Sequence, residues 1–406
     1  MMRPFLILVL LAIPLTAFGQ GGSNYSSIGL GDLRRTVGAL YDGMSGTSIA
    51  MPSDHGINIV NPALLGFSPY TRLQAGYRFN QHLVTDNGNS IAQNNGEIDG
   101  LMVLFAIDTA HGFGVSFGVV PYSSVNYVVR RELKTDIDGS AVTGRSQQQG
   151  TGGTSSIQIG ASGRLGDFYG GVSIQTLFGV ITLSDNIFID GYRELVTSTT
   201  SYDVRGILLR GGLYYKATPA LSLGAFVSGG PRGSMNIVYR AAGTLSGSPY
   251  FDSTRAVQST TELPYSVGIG ASIKSGRSRY GIDLEFGDHS SVDVNPRSDA
   301  TYSRSLRATF GFDRPAAQYA PTFGEKWGFR AGAGFQRQYY TFKGENIDEV
   351  FASGGFDFPL GASATVDAAV MGGYRGPSNG ALSELFLRLT FTVSIGETWF
   401  KPFSRE

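Results

Sequence analysis

Apolar and polar residues alternate with a period of two in about fourteen segments that begin at residue 71 and continue to the C-terminus. In the first segment Leu73, Tyr77 and Phe79 share one face of an extended strand, and Arg72 and Arg78 share the other. No long apolar run follows the first twenty residues, which excludes a helical membrane protein. The pattern predicts an all-β fold, either a soluble sandwich or an outer-membrane barrel.

The connections between these segments favour the barrel. Long connections at 81–98, 132–153, 183–201 and 243–261 alternate with tight turns such as 108–111, as in outer-membrane barrels whose turns face the periplasm. The connections 313–325 and 341–346 do not follow this rule. We therefore predict a transmembrane antiparallel β-barrel of about 14 strands. The candidate strands are 71–80, 99–107, 112–131, 154–165, 167–182, 202–216, 219–242, 262–273, 278–287, 301–312, 326–340, 347–358, 361–372 and 382–396.

The N-terminal residues read as an export signal followed by an irregular segment. Arg3, the short apolar run 5–15 and the small residues around Ala17 predict a signal peptide over 1–19, because the run is too short for an anchor helix. Residues 20–69 are rich in Gly and Pro and keep no period, which predicts a plug, or hatch. The barrel is then 70–396 and 397–406 a periplasmic tail. We expect export to the outer membrane of a Gram-negative bacterium.

The composition of the chain excludes several classes of function. Cysteine is absent, so the fold has neither disulfides nor Cys-ligated metal. The 32 basic and 32 acidic residues give no electrostatic case for a nucleic-acid partner. None of the four His residues is spaced like a metal pair. We predict no metal, no cofactor and no nucleic-acid partner.

One motif has the form of a catalytic nucleophile. Residues 114–118 read Gly-Val-Ser-Phe-Gly, which in hydrolases places the serine on a strand-to-helix elbow. Here Ser116 lies inside an alternating strand with no helix after it. A barrel hydrolase is the alternative, but we predict that the protein is not an enzyme and has no catalytic residue.

Charged residues concentrate on the polar faces of the strands. We expect them to pair across the lumen and to hold the plug. They are Arg72, Arg78, Arg164, Arg210, Arg307, Arg330, Arg388, Asp283, Glu285, Asp357, Asp367 and Glu384.

Several stretches resemble the FadL-type outer-membrane transporters of long-chain fatty acids and aromatic hydrocarbons. The Asn61-Pro62-Ala63 tripeptide before the first strand is similar to the family's Asn-Pro-Ala motif, although Leu64-Leu65 follows it where the family has Gly-Leu. The segment 113–118 leading into Pro121 looks like the family's third strand, and 214–224 looks like its sixth-to-seventh turn.

The resemblance implies passive transport of a small hydrophobic compound by a monomer, with that ligand and outer-membrane lipid as partners. It implies an inward kink of the third strand at Gly114, Gly118 and Pro121, through which the ligand leaves sideways. It also implies that Asn61, Pro62 and Ala63 form a plug switch, whereas Asn-Pro by itself predicts only a turn where the plug meets the wall. The alternative is a same-fold accessory protein of a secretion or surface-assembly machine, with components of that machine as partners and no transport activity.

Overall fold

Antiparallel strands from residue 71 to residue 397 form a ring that closes where the last strand pairs with the first. The computed structural model describes residues 21–137, 140–191, 194–245, 248–317, 322–360, 363–377 and 382–399. The signal peptide 1–19 and residues 400–406 of the predicted tail lie outside the described residues. The strands are β1 (Asp32–Leu33), β2 (Thr71–Asp86), β3 (Asn89–Asp108), β4 (Phe113–Ile137), β5 (Ser140–Leu165), β6 (Phe168–Ile189), β7 (Glu194–Lys216), β8 (Leu221–Gly229), β9 (Gly233–Leu245), β10 (Ser248–Thr261), β11 (Tyr265–Ser275), β12 (Ser278–Asp288), β13 (Ala300–Tyr302), β14 (Arg304–Arg314), β15 (Gly328–Phe342), β16 (Glu345–Pro359), β17 (Ala364–Gly376) and β18 (Leu382–Glu397).

These strands cross the wall fourteen times. β8 and β9 are two halves of one crossing, because both pair with β7. β10 with β11, and β13 with β14, are likewise interrupted crossings, and β1 belongs to the N-terminal segment. The predicted fourteen-strand antiparallel barrel is therefore confirmed. No helix in the described part of the chain is long and apolar enough to cross a membrane.

The wall has its apolar side chains outside and its polar side chains inside. On β2, Tyr77 is 51% exposed, whereas the neighbouring Arg78 is 2% exposed. On β18, Leu385 and Ile395 are exposed, and Glu384 is buried. A soluble sandwich would bury its apolar face, so this arrangement is that of a barrel surrounded by lipid.

The two ends of the ring differ. At the end where β2 begins and β18 stops, which we call the turn end, most connections are short. At the opposite, hairpin end, the regions 81–98, 132–153, 183–201 and 243–261 were predicted as long loops, and that prediction is wrong. They are mainly strand, and Asn87-Gly88 joins β2 to β3 with positive φ at both residues, as a tight hairpin requires. The connection between β14 and β15 is long and that between β15 and β16 short, as the sequence indicated.

Residues 21–69 lie inside the ring and are mostly buried. Their regular structure is limited to β1, one turn of α-helix (α1, Ala39–Asp42) and two 3-10 helices, Asn24–Ser27 and Pro62–Phe67. Most of their backbone N–H and C=O groups therefore need partners outside helices and sheets. We refer to this part of the chain as the N-terminal segment.

Candidate functional site

The wall has a break between β3 and β4. The two strands pair from the turn end only as far as Leu101 opposite Val119. Beyond that point β3 continues beside β2, and β4 continues beside β5 with a register shift between Pro121 and Ser123. We call this opening, on the hairpin side of Val119, the wall break.

The N-terminal segment fills the wall break. β1 pairs with β4, with Asp32 opposite Ser124 and Leu33 opposite Ser123. The Arg34 amide donates to the Tyr122 carbonyl at 2.8 Å. On the other side Arg34 forms an ion pair with Glu97 of β3. The segment thus connects two strands that no longer contact each other through their own ladder.

The three residues of the predicted wall kink have distinct surroundings. A Cβ on Gly114 would lie 3.0 Å from the carbonyl oxygen of Leu65 in the N-terminal segment. A Cβ on Gly118 would lie 2.2 Å from the sulfur of Met102 on β3. Pro121 stands at the register shift, where it cannot donate to a ladder. The first two positions need glycine for close packing, and a role in ligand exit remains a prediction.

Asn61 connects the N-terminal segment to the wall and is fully buried. Its side-chain oxygen accepts from the Ala63 amide at 3.1 Å, which caps the 3-10 helix that Pro62 begins. Its Nδ2 donates to the carbonyls of Ile49, at 2.8 Å, and of Leu213 on β7, at 3.0 Å. The turn that Asn-Pro predicts is present, and a switching role stays a prediction.

Two glycines of the wall make room for this tripeptide. A Cβ on Gly171 of β6 would lie 2.4 Å from the Pro62 carbonyl carbon. A Cβ on Gly212 of β7 would lie 2.1 Å from Asn61 Oδ1. Ala63 and Leu64 continue into a buried cluster with Tyr169 and Tyr214. The Asn-Pro-Ala element is therefore held by backbone contact and by packing.

Charged side chains of the wall supply the hydrogen bonds that the irregular segment lacks. The Asp283 carboxylate accepts from the amides of Ser48 and Ile49 at 2.6 and 2.9 Å. Arginines do the converse and donate to backbone carbonyls. These bonds run from Arg72 to Asp54, from Arg210 to Ile59, from Arg279 to Pro52 and from Arg307 to Ser45. The predicted lumen charges thus bind the N-terminal segment as much as one another.

The densest group of buried charges surrounds Arg330 on β15. Its guanidinium contacts Asp313 at 3.1 Å, Asp357 at 2.6 Å and Asp367 at 2.7 Å. His55 of the N-terminal segment joins them, with Nε2 3.3 Å from Asp367. Oxygen and nitrogen atoms of His55, Asp357 and Asp367 lie within 4.8 Å of one another, the spacing of metal ligands. The Arg330 guanidinium already contacts an oxygen of each of these two carboxylates, so we assign no metal there.

The carboxylates around His55 favour its imidazolium form. Burial lowers its pKa, but the charge of Asp367 and hydrogen bonds with Asp367 and Asp54 outweigh burial and raise the pKa to about 10. Both ring nitrogens face a carboxylate, since Nδ1 lies 2.8 Å from Asp54. The hydrogen bond from His55 in turn holds the pKa of Asp54 below its usual range. The sequence missed this group because its members come from distant parts of the chain.

Two residues singled out in the sequence lie elsewhere. Arg164, expected in the lumen, is exposed at a turn and donates to the Gly166 carbonyl at 2.7 Å, because β5 ends there. Ser116 is fully buried near the start of β4, and its hydroxyl has no hydrogen-bond partner in the described structure. Ser116 therefore lies in a continuous strand and not on the strand-to-helix turn that exposes the nucleophile of a hydrolase.

The interior beside the wall break holds a small cavity that is lined by both polar and apolar side chains. Its volume is about 50 Å³ and its lining includes Tyr122 and Phe226. The ion pair between Arg35 and Glu285, together with Arg210, brings charge into the lining. This space suits one or two water molecules better than an apolar ligand.

A closed fourteen-crossing barrel with an apolar outer face and a packed N-terminal segment defines an outer-membrane β-barrel protein. Within that class the chain belongs to the BamG family, whose model matches residues 1–403. The resemblance to FadL-type transporters therefore holds for the fold, and the family assignment is corrected.

Solved structures support the fold assignment. A Pseudomonas aeruginosa FadL homologue is 11% identical, with 92% of this chain and 100% of that chain covered and a TM-score of 0.64. The CymD monoaromatic hydrocarbon channel is 13% identical (90% and 99% covered, TM-score 0.58). The P. putida toluene transporter TodX is also 13% identical (90% and 99% covered, TM-score 0.57). No curated protein matches the sequence.

Proposed function

We propose that this protein is an accessory subunit of the β-barrel assembly machinery in the outer membrane of a Gram-negative bacterium, which it reaches after signal-peptide-dependent export. The observation that carries the proposal is the match to the BamG family over nearly the whole chain, since the family's name points to that machinery. On this proposal the barrel serves as a membrane-embedded scaffold, has no catalytic residue and transports no ligand.

The small cavity beside the wall break favours a scaffold over a transporter. Pockets for small molecules usually measure about 300–1,000 Å³ and are lined mainly by apolar side chains. The cavity beside the wall break measures about 50 Å³ and contains Arg35, Glu285 and Arg210. A cavity of this size is too small for a ligand that fills such a pocket.

The occupied wall break also favours a scaffold over a transporter. Lateral exit of a ligand requires a gap between β3 and β4, and here β1 and Arg34 take up that space. Opening the gap would break the β1–β4 pairing and the ion pair with Glu97. A scaffold gains from these contacts because they make the wall rigid.

Purification from native membranes in mild detergent tests the proposal. We expect subunits of the β-barrel assembly machinery to copurify in fixed stoichiometry, and a deletion strain to have fewer assembled outer-membrane barrels but normal uptake of radiolabelled oleate and toluene. Copurification of no such subunit, together with normal barrel assembly in the deletion strain, would refute the proposal.

Passive transport of a small hydrophobic compound is the second candidate. It is favoured by the fold shared with a toluene transporter and by the wall break itself. In this case Asn61, Pro62 and Ala63 act as the plug switch, and Gly114, Gly118 and Pro121 shape the exit. The same uptake assay decides, because a transporter loses uptake when residues 24–60 are deleted, whereas a scaffold shows no such dependence.

A further inference from the structure

A cleft opens at the turn end between the N-terminal segment and the wall. Its volume is about 460 Å³. The N-terminal segment contributes residues 52–55 and Phe67, and the wall contributes the β7–β8 turn and the adjacent ends of β11 and β12. The inward-facing Ser272, which donates to the Ala50 carbonyl at 2.6 Å, is part of the lining. The cleft therefore opens toward the barrel axis and away from the surrounding lipid.

Three cations border the cleft, and none is paired with a carboxylate of the described residues. Lys216 is half-buried, and its ammonium lies over the rings of Phe67 and Tyr169, 5.2 and 5.3 Å from their centroids. Lys274 is exposed. Arg279 donates to a backbone carbonyl, that of Pro52. These charges attract an anion.

The two carboxylates in the lining do not cancel this positive charge. Asp54 is engaged by His55, with 2.8 Å between Oδ1 and Nδ1. Asp313 is engaged by Arg330, with 3.1 Å between Oδ1 and Nε. The cleft as a whole keeps an excess of positive charge.

Phe67 and Tyr214 form the apolar side of the cleft. The Phe67 ring meets Tyr214 edge-on at 5.0 Å between ring centroids and stacks at 4.4 Å on the buried Tyr169 behind it. Free phosphate would use the cations and leave these rings unused. A polypeptide carries carboxylates and apolar side chains on one strand, and so it satisfies both sides of the cleft.

We propose that this cleft binds an acidic, apolar-containing segment of a soluble partner protein on the periplasmic side of the membrane. The inference rests on the proposed function, because it identifies the surface through which the scaffold would hold a component of the machinery. Carboxylates of the segment pair with Lys216, Lys274 and Arg279, and an aromatic or aliphatic side chain packs on Phe67.

The test measures binding of a fluorescein-labelled peptide of alternating Glu and Phe to the purified full-length protein by fluorescence anisotropy. We expect saturable binding, no binding of the matching peptide with Lys for Glu, and at least about tenfold weaker binding by the double variant Lys216→Glu/Lys274→Glu, which is about 1.4 kcal/mol. The control Lys134→Glu/Lys343→Glu makes the same charge change at the hairpin end. It should bind as the wild type does.

Three results of the peptide measurements would overturn the proposal. The first is no saturable binding, and the second is an equal loss in the control variant. The third is displacement of the peptide by inorganic phosphate or by phosphatidylglycerol vesicles, which would make the cleft a general anion or headgroup site. If wild type and the cleft variant copurify the same machinery subunits, the proposed function stands and the cleft proposal falls. If wild type copurifies none, the proposed function fails, and the peptide measurements alone decide the cleft.

Discussion

Asn61 donates from its side-chain amide to the backbone carbonyl of Leu213, so a residue of the N-terminal segment directly extends the hydrogen bonding of the wall. Asn61→Ala should lower the free energy of unfolding by about 2–4 kcal/mol, since it removes a helix cap and leaves buried carbonyls unpaired. Urea unfolding in detergent measures this. The exposed Asn89→Ala should change little, and an equal effect of the two would contradict the assignment.

Gly171 and Gly170 are neighbours on β6 with opposite surroundings. A Cβ on Gly171 would collide with the backbone of Pro62, whereas a Cβ on Gly170 meets nothing within 4 Å. Gly171→Ala should therefore displace the N-terminal segment and speed its cleavage by trypsin, and Gly170→Ala should leave the digestion unchanged. If the two variants gave the same digestion pattern, the close approach of Gly171 to the Pro62 backbone would not be needed to hold the N-terminal segment in place.

Arg330 should be among the most sensitive positions of the wall. Arg330→Met leaves Asp313, Asp357 and Asp367 buried without their shared cation, and the expected loss of stability is about 3–5 kcal/mol. Arg337 on the same strand pairs with Asp348 at the surface, so Arg337→Met should cost less than about 1 kcal/mol. Thermal unfolding of both variants gives the comparison.

The charge of His55 gives stability a defined pH dependence. Its folded pKa of about 10 lies above the ordinary value of 6.5, so its contribution is complete below pH 6.5 and is lost as the pH rises through about 10. Wild type should exceed His55→Gln in stability at about pH 6, and the difference should shrink by about pH 11. Urea titrations of both proteins test this, and a difference that grows with pH would show that the imidazolium is not the stabilising form.

The natural absence of cysteine allows a clean test of the wall break. Leu33 and Ser123 are directly opposite in the β1–β4 pair, so Leu33→Cys/Ser123→Cys should oxidise to a disulfide. The bond should leave barrel assembly in cells unchanged, because the proposed scaffold needs no opening there. Leu33→Cys alone is the control, and reduced function only in the oxidised double variant would mean that the segment has to move.

The sequence predicted the barrel because the inside and outside of a strand are encoded locally. Tyr77 and Arg78 are adjacent and point to opposite environments, so a period of two is enough to find such a wall. The strands at the hairpin end were not predicted because the alternation of apolar and polar residues is lost where both faces of a strand meet water. β10 is an example, since its side chains are almost all exposed. Polar stretches of this kind read as loops.

The site was harder to predict because it depends on ring closure. Arg330 was recognised as a lumen charge, but its approach to His55, 275 residues away, follows only from the register of the whole sheet. The Asn61-Pro62 turn was readable from two residues. Its close packing against Gly171 and Gly212 could not be predicted, since the chain has 57 glycines and nothing in the sequence distinguishes these two.

The bond between Ser23 and Glu384 has a consequence for how the molecule is made. The Ser23 hydroxyl donates to that carboxylate at 2.7 Å across 361 residues of sequence. Contacts of such long range must wait until nearly the entire polypeptide is available, and folding rates fall steeply as they come to dominate. We therefore expect slow spontaneous refolding. We also expect the N-terminal segment to be enclosed before the last strand pairs with the first and closes the ring. We therefore expect that a protein proposed to help assemble other barrels itself requires assistance to fold, because of its own topology.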